Sequence, residues 1–212
     1  MVGVEIDRDL ARVLRERFAD QPAFSLIEGD ALAGKHELSP ELLARIVDAK
    51  AAGRAVKLVA NLPYNVASPL VIELLIARVD SLAFTVQKEV ADRLRAADGT
   101  EAYGPLSVMA QMLAKVQVLR NLPPQAFWPS PKIDSSLVRM TRDDRLGDRA
   151  ADFGRFVHSV FSFRRKTLRK AMTQAGLDAQ RVIEKTGVDP QARPEVLSPE
   201  KWLEMFEASA VR

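Results

Sequence analysis

Short apolar runs, most of them followed by a stretch of helical periodicity, recur along most of this chain and restrict it to a layered α/β architecture. Residues 2–6, 24–27, 56–60, 82–86, 116–119 and 136–140 read as strands. Leu10, Val13, Leu14 and Phe18 recur at helical spacing, giving a helix with one apolar face that Asp7 opens near Arg8 and that runs to about Ala19. Further helices are predicted over 40–50, 68–78, 88–96 and 105–113, with Ser68 as a cap and Pro69 in the first turn. Strands alternating with helices imply a mainly parallel sheet covered on both faces. Past Thr141 the pattern changes: the charged connector 142–148 carries no strand signal, and helical stretches follow at 152–161, 165–175, 179–185 and 199–208. The expected organisation is an α/β domain over 1–141 and a small all-helical domain over 150–212.

Composition removes several functional classes. Cysteine is absent, which excludes disulfides, thiolate nucleophiles and cysteine-zinc sites. The two histidines, His36 and His158, lack metal-type spacing, so no metal is expected. No apolar stretch is long enough to span a bilayer, and residues 1–5 do not resemble a signal peptide. The expectation is a cytoplasmic protein, acting as a monomer without a membrane partner. The formal charge of +3 says less than its distribution. Arg155, Arg164, Arg165, Lys166, Arg169 and Lys170 lie between Phe153 and Met172 with no acidic residue among them.

The candidate chemistry sits where strands end, which is where open α/β sheets bind ligands. Glu5, at the end of the first strand, is placed to accept from the two hydroxyls of a ribose, although an acid beside Asp7 equally suits a helix start. Asp30 ends the second strand, where it is either an acceptor for an exocyclic amine or a turn residue after Gly29. Asn61-Leu62-Pro63-Tyr64-Asn65 is a more specific signal. An amide, a carbonyl beside a proline that cannot donate, and an aromatic ring suit a planar base bearing an amine. The Asn61 side-chain oxygen and the Leu62 carbonyl would bind the amine's two hydrogens, leaving its lone pair aimed at a methyl donor; Tyr64 would stack on the extruded base. Phe127 would form a second wall of that pocket and Lys132 would meet a phosphate, from a loop stiffened by Pro129 and Pro131. The plainer alternative is a rigid packing loop. Arg165, Lys166, Arg169 and Lys170 are predicted to share one helical face, with Arg164 nearby, either following an RNA backbone or simply solvated.

Seven segments in order, Val4-Glu5-Ile6-Asp7-Arg8-Asp9-Leu10, Glu28-Gly29-Asp30-Ala31, Asn61-Leu62-Pro63-Tyr64-Asn65, Gln87-Lys88-Glu89-Val90, Tyr103-Gly104-Pro105-Leu106-Ser107, Pro129-Ser130-Pro131-Lys132-Ile133-Asp134-Ser135 and Phe163-Arg164-Arg165-Lys166-Thr167-Leu168, closely resemble the small-subunit (16S) rRNA adenine N6,N6-dimethyltransferases. The resemblance implies a Rossmann-like class I methyltransferase sheet with a helical C-terminal domain. It implies S-adenosyl-L-methionine as cofactor, and dimethylation of two adjacent adenosines near the 3′ end of 16S rRNA within an immature 30S subunit. By position, Glu5 and Ile6 would hold the cofactor ribose, Asp30 and Ala31 its adenine, and Asn61 both cofactor and target amine. Asn61, Leu62, Tyr64 and Phe127 would form the catalytic pocket, with RNA met by Lys132, Arg164, Arg165, Lys166, Arg169 and Lys170.

One departure stands out. The family's glycine-rich loop should precede the ribose acid by about 20 residues, and only four residues precede Glu5 here. The expectation is a fragment, or a chain with a misplaced start, whose sheet lacks its first, central strand and leaves two strand edges without a partner. The alternatives are a 23S rRNA adenine dimethyltransferase, a non-catalytic ribosome-assembly factor that binds RNA, and, behind both, a DNA adenine methyltransferase.

Overall fold

A computed structural model describes residues 1–34, 36–143 and 145–210. Asp144, within the predicted connector, and residues 211–212 at the end of the predicted helical domain lie outside the described residues. The chain opens with strand β1 (Val2–Glu5), helix α1 (Arg8–Arg17) and strand β2 (Ser25–Glu28). Asp7 caps α1 as expected, its carboxylate accepting from the Asp9 and Leu10 amides at 2.9 and 3.0 Å. β1 and β2 pair in parallel, with Glu5 opposite Glu28. A short hairpin that the sequence pattern did not reveal follows, β3 (Leu32–Gly34) against β4 (Glu37–Leu38). It leads into α2 (Pro40–Ala51), capped by Ser39 with Pro40 in the first turn.

The second sheet carries most of the core. Its strands are β5 (Lys57–Asn61), β6 (Ser81–Gln87), β7 (Ala114–Leu122) and β8 (Ser135–Arg142), in the order β5-β6-β8-β7. α3 (Ala67–Ile76) crosses from β5 to β6, while α4 (Lys88–Leu94) and α5 (Pro105–Leu113) cross from β6 to β7. The expected mainly parallel sheet is corrected here: β5–β6 is parallel, but β6–β8 and β7–β8 are antiparallel. The link from β7 to β8 holds only a short 3-10 turn, Pro124–Ala126, and without a crossover helix the chain must return antiparallel. Asp80, just before β6, ties the start of this sheet to α2. Burial acts to raise its pKa, but the Lys50 ammonium and Val56 amide, each at 2.7 Å, hold the carboxyl below its ordinary range.

Burial alternates along β6, with Leu82, Phe84 and Val86 enclosed and the intervening residues half-exposed. Opposite them on β8, Met140 and Val138 complete the enclosed face; α4 packs against both strands and α5 against β7. The other face is less covered than expected, since Val59 on β5 is 84% exposed. Among the described strands, β1–β2 and β5-β6-β8-β7 are separate ladders, so β1 and β5 each keep an unpaired edge where the sequence predicted a break.

After β8, helices α6 (Ala150–Phe161), α7 (Leu168–Gln174), α8 (Ala179–Thr186) and α9 (Pro199–Ser209) pack around Phe153, Val157, Leu168, Met172, Val182, Trp202 and Met205. Trp202 stacks on Phe161 at 4.8 Å and meets Phe156 edge-on at 6.1 Å. This core is continuous with the one beneath the sheet, because α5 packs on both α6 and α9. The buried Tyr103 hydroxyl, donating to the Leu197 carbonyl at 2.6 Å, adds a polar tie. Burial, with the charges of Asp98 and Glu200, pushes its phenol above the ordinary range.

Three helix starts differ from expectation, that of α6 by coming two residues early, at Ala150. α3 begins at Ala67 with Val66 at its cap and no side-chain cap, so Ser68 lies inside the first turn; the Val66 and Ala67 amides bond the Pro63 carbonyl instead. α7 begins only at Leu168, because residues 162–166 close the end of α6 in successive turns.

Candidate active site

Asn61 is the last residue of β5 and stands opposite Thr85 in the parallel register. The Thr85 hydroxyl donates to the Asn61 side-chain oxygen, and the Leu62 amide donates to the Thr85 carbonyl at 3.3 Å. Thr85 therefore fixes both the orientation of the amide and the backbone that follows. Leu62 is buried by its side chain, while its carbonyl accepts no hydrogen bond among the described residues. Pro63 then turns the chain so that Tyr64 faces back across the strand ends, its hydroxyl 2.9 Å from Ser135 Oγ. Ser135 is buried at the first position of β8, which makes it a fixed anchor for the ring.

The far wall comes from the β7–β8 loop. Phe127 is half-buried, and Trp128, Pro129 and Pro131 continue the wall; the Trp128–Pro129 bond is cis. With residues 61–64 they line an open cleft of about 380 Å³. The loop opens on a closed turn and is tied at its far end to the start of α4. The Phe127 amide bonds the Pro124 carbonyl at 3.1 Å, and the Lys88 amide bonds the Asp134 carbonyl at 2.9 Å. Lys88 is committed elsewhere by its side chain: it and Arg95 hold the Asp92 carboxyl below its usual range against the opposing effect of burial. Lys132 is exposed on the same loop.

Glu5, Ile6, Asp30 and Ala31 gather at the carboxyl edge of the β1–β2 ladder and do not line this cleft. Glu5 takes the helix-start role of its sequence position. Its Oε1 accepts from the Asp7 amide at 2.9 Å and braces the turn into α1. Asp30 behaves alike: its Oδ1 accepts from the Leu32 amide at 3.0 Å, and the residue is exposed. Ile6 is largely exposed beside Glu5, and the Ala31 carbonyl is held by the Ser39 amide at 2.8 Å.

The basic segment is organised differently from the single helical face that its spacing predicts. Arg164, Arg165 and Lys166 stand on the turn between α6 and α7, and only Arg169 and Lys170 lie on α7. Arg169 donates to Gln180 at 2.8 Å and Arg155 pairs with Asp152, and both of these, like Lys170 and the three cations of the turn, are exposed. Arg164 also lines a second pocket, of about 220 Å³, with Tyr103, His158 and Ser162. The structure thus brings Asn61, Leu62, Tyr64 and Phe127 together and keeps the basic turn apart from them. Thr85 was absent from the sequence-derived site because its place depends on strand register. Ser135 had a signal, at the end of the Pro129 to Ser135 motif, but its role as an anchor emerges only from the fold.

Comparison with known proteins accords with this arrangement. A family model described as ribosomal RNA adenine dimethylase matches residues 1–210. The chain is 40% identical over 204 residues to the ribosomal RNA small subunit methyltransferase A of Hahella chejuensis, covering 93% of this chain and 70% of that protein. It is 41% identical over 213 residues to the protein of that name in Anaeromyxobacter dehalogenans, covering 95% and 73%. Among solved structures it resembles a dimethyladenosine transferase from Plasmodium falciparum, with a TM-score of 0.73 at 20% identity over 96% of this chain and 79% of that one. The 23S rRNA methyltransferase ErmE is similar with a TM-score of 0.60 at 22% identity, over 98% and 81%. These two likenesses establish the Rossmann-like α/β fold. With the family match running almost end to end and relatives at this level of identity, the chain belongs to the ribosomal RNA adenine dimethylase family.

Proposed function

We propose that this chain dimethylates N6 of two neighbouring adenosines near the 3′ end of 16S rRNA in an immature small subunit, using S-adenosylmethionine. Residues 1–141 would carry the chemistry and residues 150–212 would contact the RNA. The observation that carries the reading is the Asn61 amide, oriented by Thr85, facing an aromatic cleft walled by Tyr64 and Phe127.

The N6 amine of adenine is a weak nucleophile because its lone pair is delocalised into the ring. Asn61 Oδ1 spends one lone pair on the Thr85 hydroxyl and keeps one for an amine hydrogen. The unpartnered Leu62 carbonyl takes the other. Held this way, the nitrogen is favoured in a pyramidal form whose lone pair is free to react. Stacking on Tyr64, which Ser135 holds in place, offsets the cost of taking the base from its helical stack. No strong base is needed, since the alkylated nitrogen loses its proton to water. The acceleration rests on positioning and fixed dipoles.

The residues at the β1–β2 edge fit the cofactor's nucleoside. Glu5 and Asp30 present carboxylates there, one suited to ribose hydroxyls and the other to an adenine amine. When bound, S-adenosylmethionine supplies an electrophilic methyl group. The basic turn 164–166, with Lys132, would meet phosphates, so RNA affinity should fall as salt rises.

Asn61→Ala is expected to lower methylation of immature 30S particles by roughly a hundredfold or more while RNA affinity is kept. Full activity in the variant would refute the proposed mechanism. Faster methylation of isolated 23S rRNA than of immature 30S particles would overturn the substrate.

A further inference from the structure

We propose that Trp128 is a stacking platform for the RNA base next to the one held in the Asn61–Tyr64 cleft; this rests on reading that cleft as a nucleobase site. The chain has two tryptophans with opposite fates: Trp202 is fully buried, whereas Trp128 is 96% exposed. An indole left in water forgoes the burial that aromatic side chains ordinarily gain, and its surroundings show why it stays there. Pro129 and Pro131 fix the backbone after it, and the extended backbone of Phe127 (φ −123°, ψ 152°) precedes it. The turn before it is closed by its own Phe127–Pro124 bond, and the far end of the loop is held at Asp134 by the Lys88 amide.

The position of the ring selects its occupant. Trp128 and Phe127 are consecutive residues lining one cleft, the first at its open rim and the second half-buried in its wall. A base drawn into the cleft leaves its neighbour in the strand with one face unstacked, and the nearest large aromatic surface is the indole at the rim. Exposed Lys132, on the same loop, is suited to the phosphate of that nucleotide. An exposed aromatic beside a cation is the combination by which single-stranded RNA is held without reading its sequence. For a substrate with two reactive adenosines side by side, one would rest on Trp128 while the other occupies the cleft.

The test is the steady-state kinetics of Trp128→Ala and Trp128→Phe on immature 30S particles. Trp128→Ala should raise KM for the particle about tenfold while kcat changes less than threefold, and Trp128→Phe should restore most of the affinity. An independent readout is intrinsic fluorescence, because Trp202 is shielded and any quenching by added RNA reports Trp128. A single-stranded oligonucleotide with two adjacent adenosines should quench the wild type. One abasic at the neighbouring position should quench it far less. An unchanged KM in Trp128→Ala overturns the proposal, whatever the quenching. A rise in KM for particles but not for deproteinised 16S rRNA also overturns it, since the indole would then meet a ribosomal protein. The two readings fail separately: if Asn61→Ala abolishes methylation while Trp128→Ala behaves as wild type, only the platform falls.

Discussion

Helices α1 and α6 carry the same kind of amphipathic pattern and meet opposite fates. On α6, Phe153, Phe156, Val157, Val160 and Phe161 are all enclosed, because α5, α7 and α9 supply surfaces on which they close. On α1 only Ala11 is buried, and Leu10 and Val13 remain about half exposed. Phe18 finds a partner in Phe24, 4.6 Å away, yet the ladder beneath has only two strands. α2 is intermediate: Ile46 is enclosed while Leu43 and Val47 are not. Periodicity states which face of a helix is apolar, whereas burial depends on a facing surface that periodicity cannot supply. The chemistry is divided along the same line. The cleft residues rest on the well-packed sheet, and Glu5 and Asp30 rest on the sparsely packed ladder.

Three measurements bear on this contrast, from the largest expected effect to the smallest. Trp202→Ala should cost about 3–5 kcal/mol in urea denaturation, because it empties the centre of the C-terminal core. A loss below about 1 kcal/mol would mean that this region is packed no better than the N-terminal one.

Glu73 on α3 lies at the junction of the two regions, where burial and the charge of Glu37 on β4 raise its pKa. A raised pKa in the folded state favours the protonated form. Its contribution is therefore complete at low pH and lost as pH rises through the folded value. Glu73→Gln should accordingly raise Tm at pH 7, and the gain should vanish on titration below the ordinary glutamate range. A Tm that falls at pH 7 would show that the carboxylate makes a favourable contact across the junction.

The smallest effect belongs to α1. Leu10→Ser should cost only about 1 kcal/mol, since about half of the side chain already stands in water. A cost comparable to that of Trp202→Ala would break the comparison outright.

Much of the fold was legible because its signals are local. Asp7 marks a helix start by a bond made within one turn, Pro40 and Pro105 by a backbone angle already suited to the first turn, and the structure places α1, α2 and α5 there. Ser68 misled for the same reason, since a cap depends on where the backbone enters the helix. The entry of α3 is set instead by the Pro63 carbonyl. The β3–β4 hairpin is too short to leave a period, and the direction of β8 follows from a loop whose residues do not state it.

The site divides in the same way. Asn61, Leu62, Tyr64 and Phe127 were visible because an amide, a proline and aromatic rings at a strand end form an unusual composition within a few residues. Thr85 was not, and Ser135 stood there only as the end of a motif, since these anchors are 24 and 71 positions away from Asn61 and Tyr64 and meet them only through the fold. By itself, the sequence determined most of the element types, the strand ends to within a few residues and the chemical groups offered there, all properties of neighbouring residues. Only the tertiary structure decided which strands pair, which apolar faces close, that residues 164–166 form a turn, and that one tryptophan is enclosed while the other stands in water. Those outcomes depend on contacts between distant segments, where register and packing select among arrangements that local propensity leaves equal.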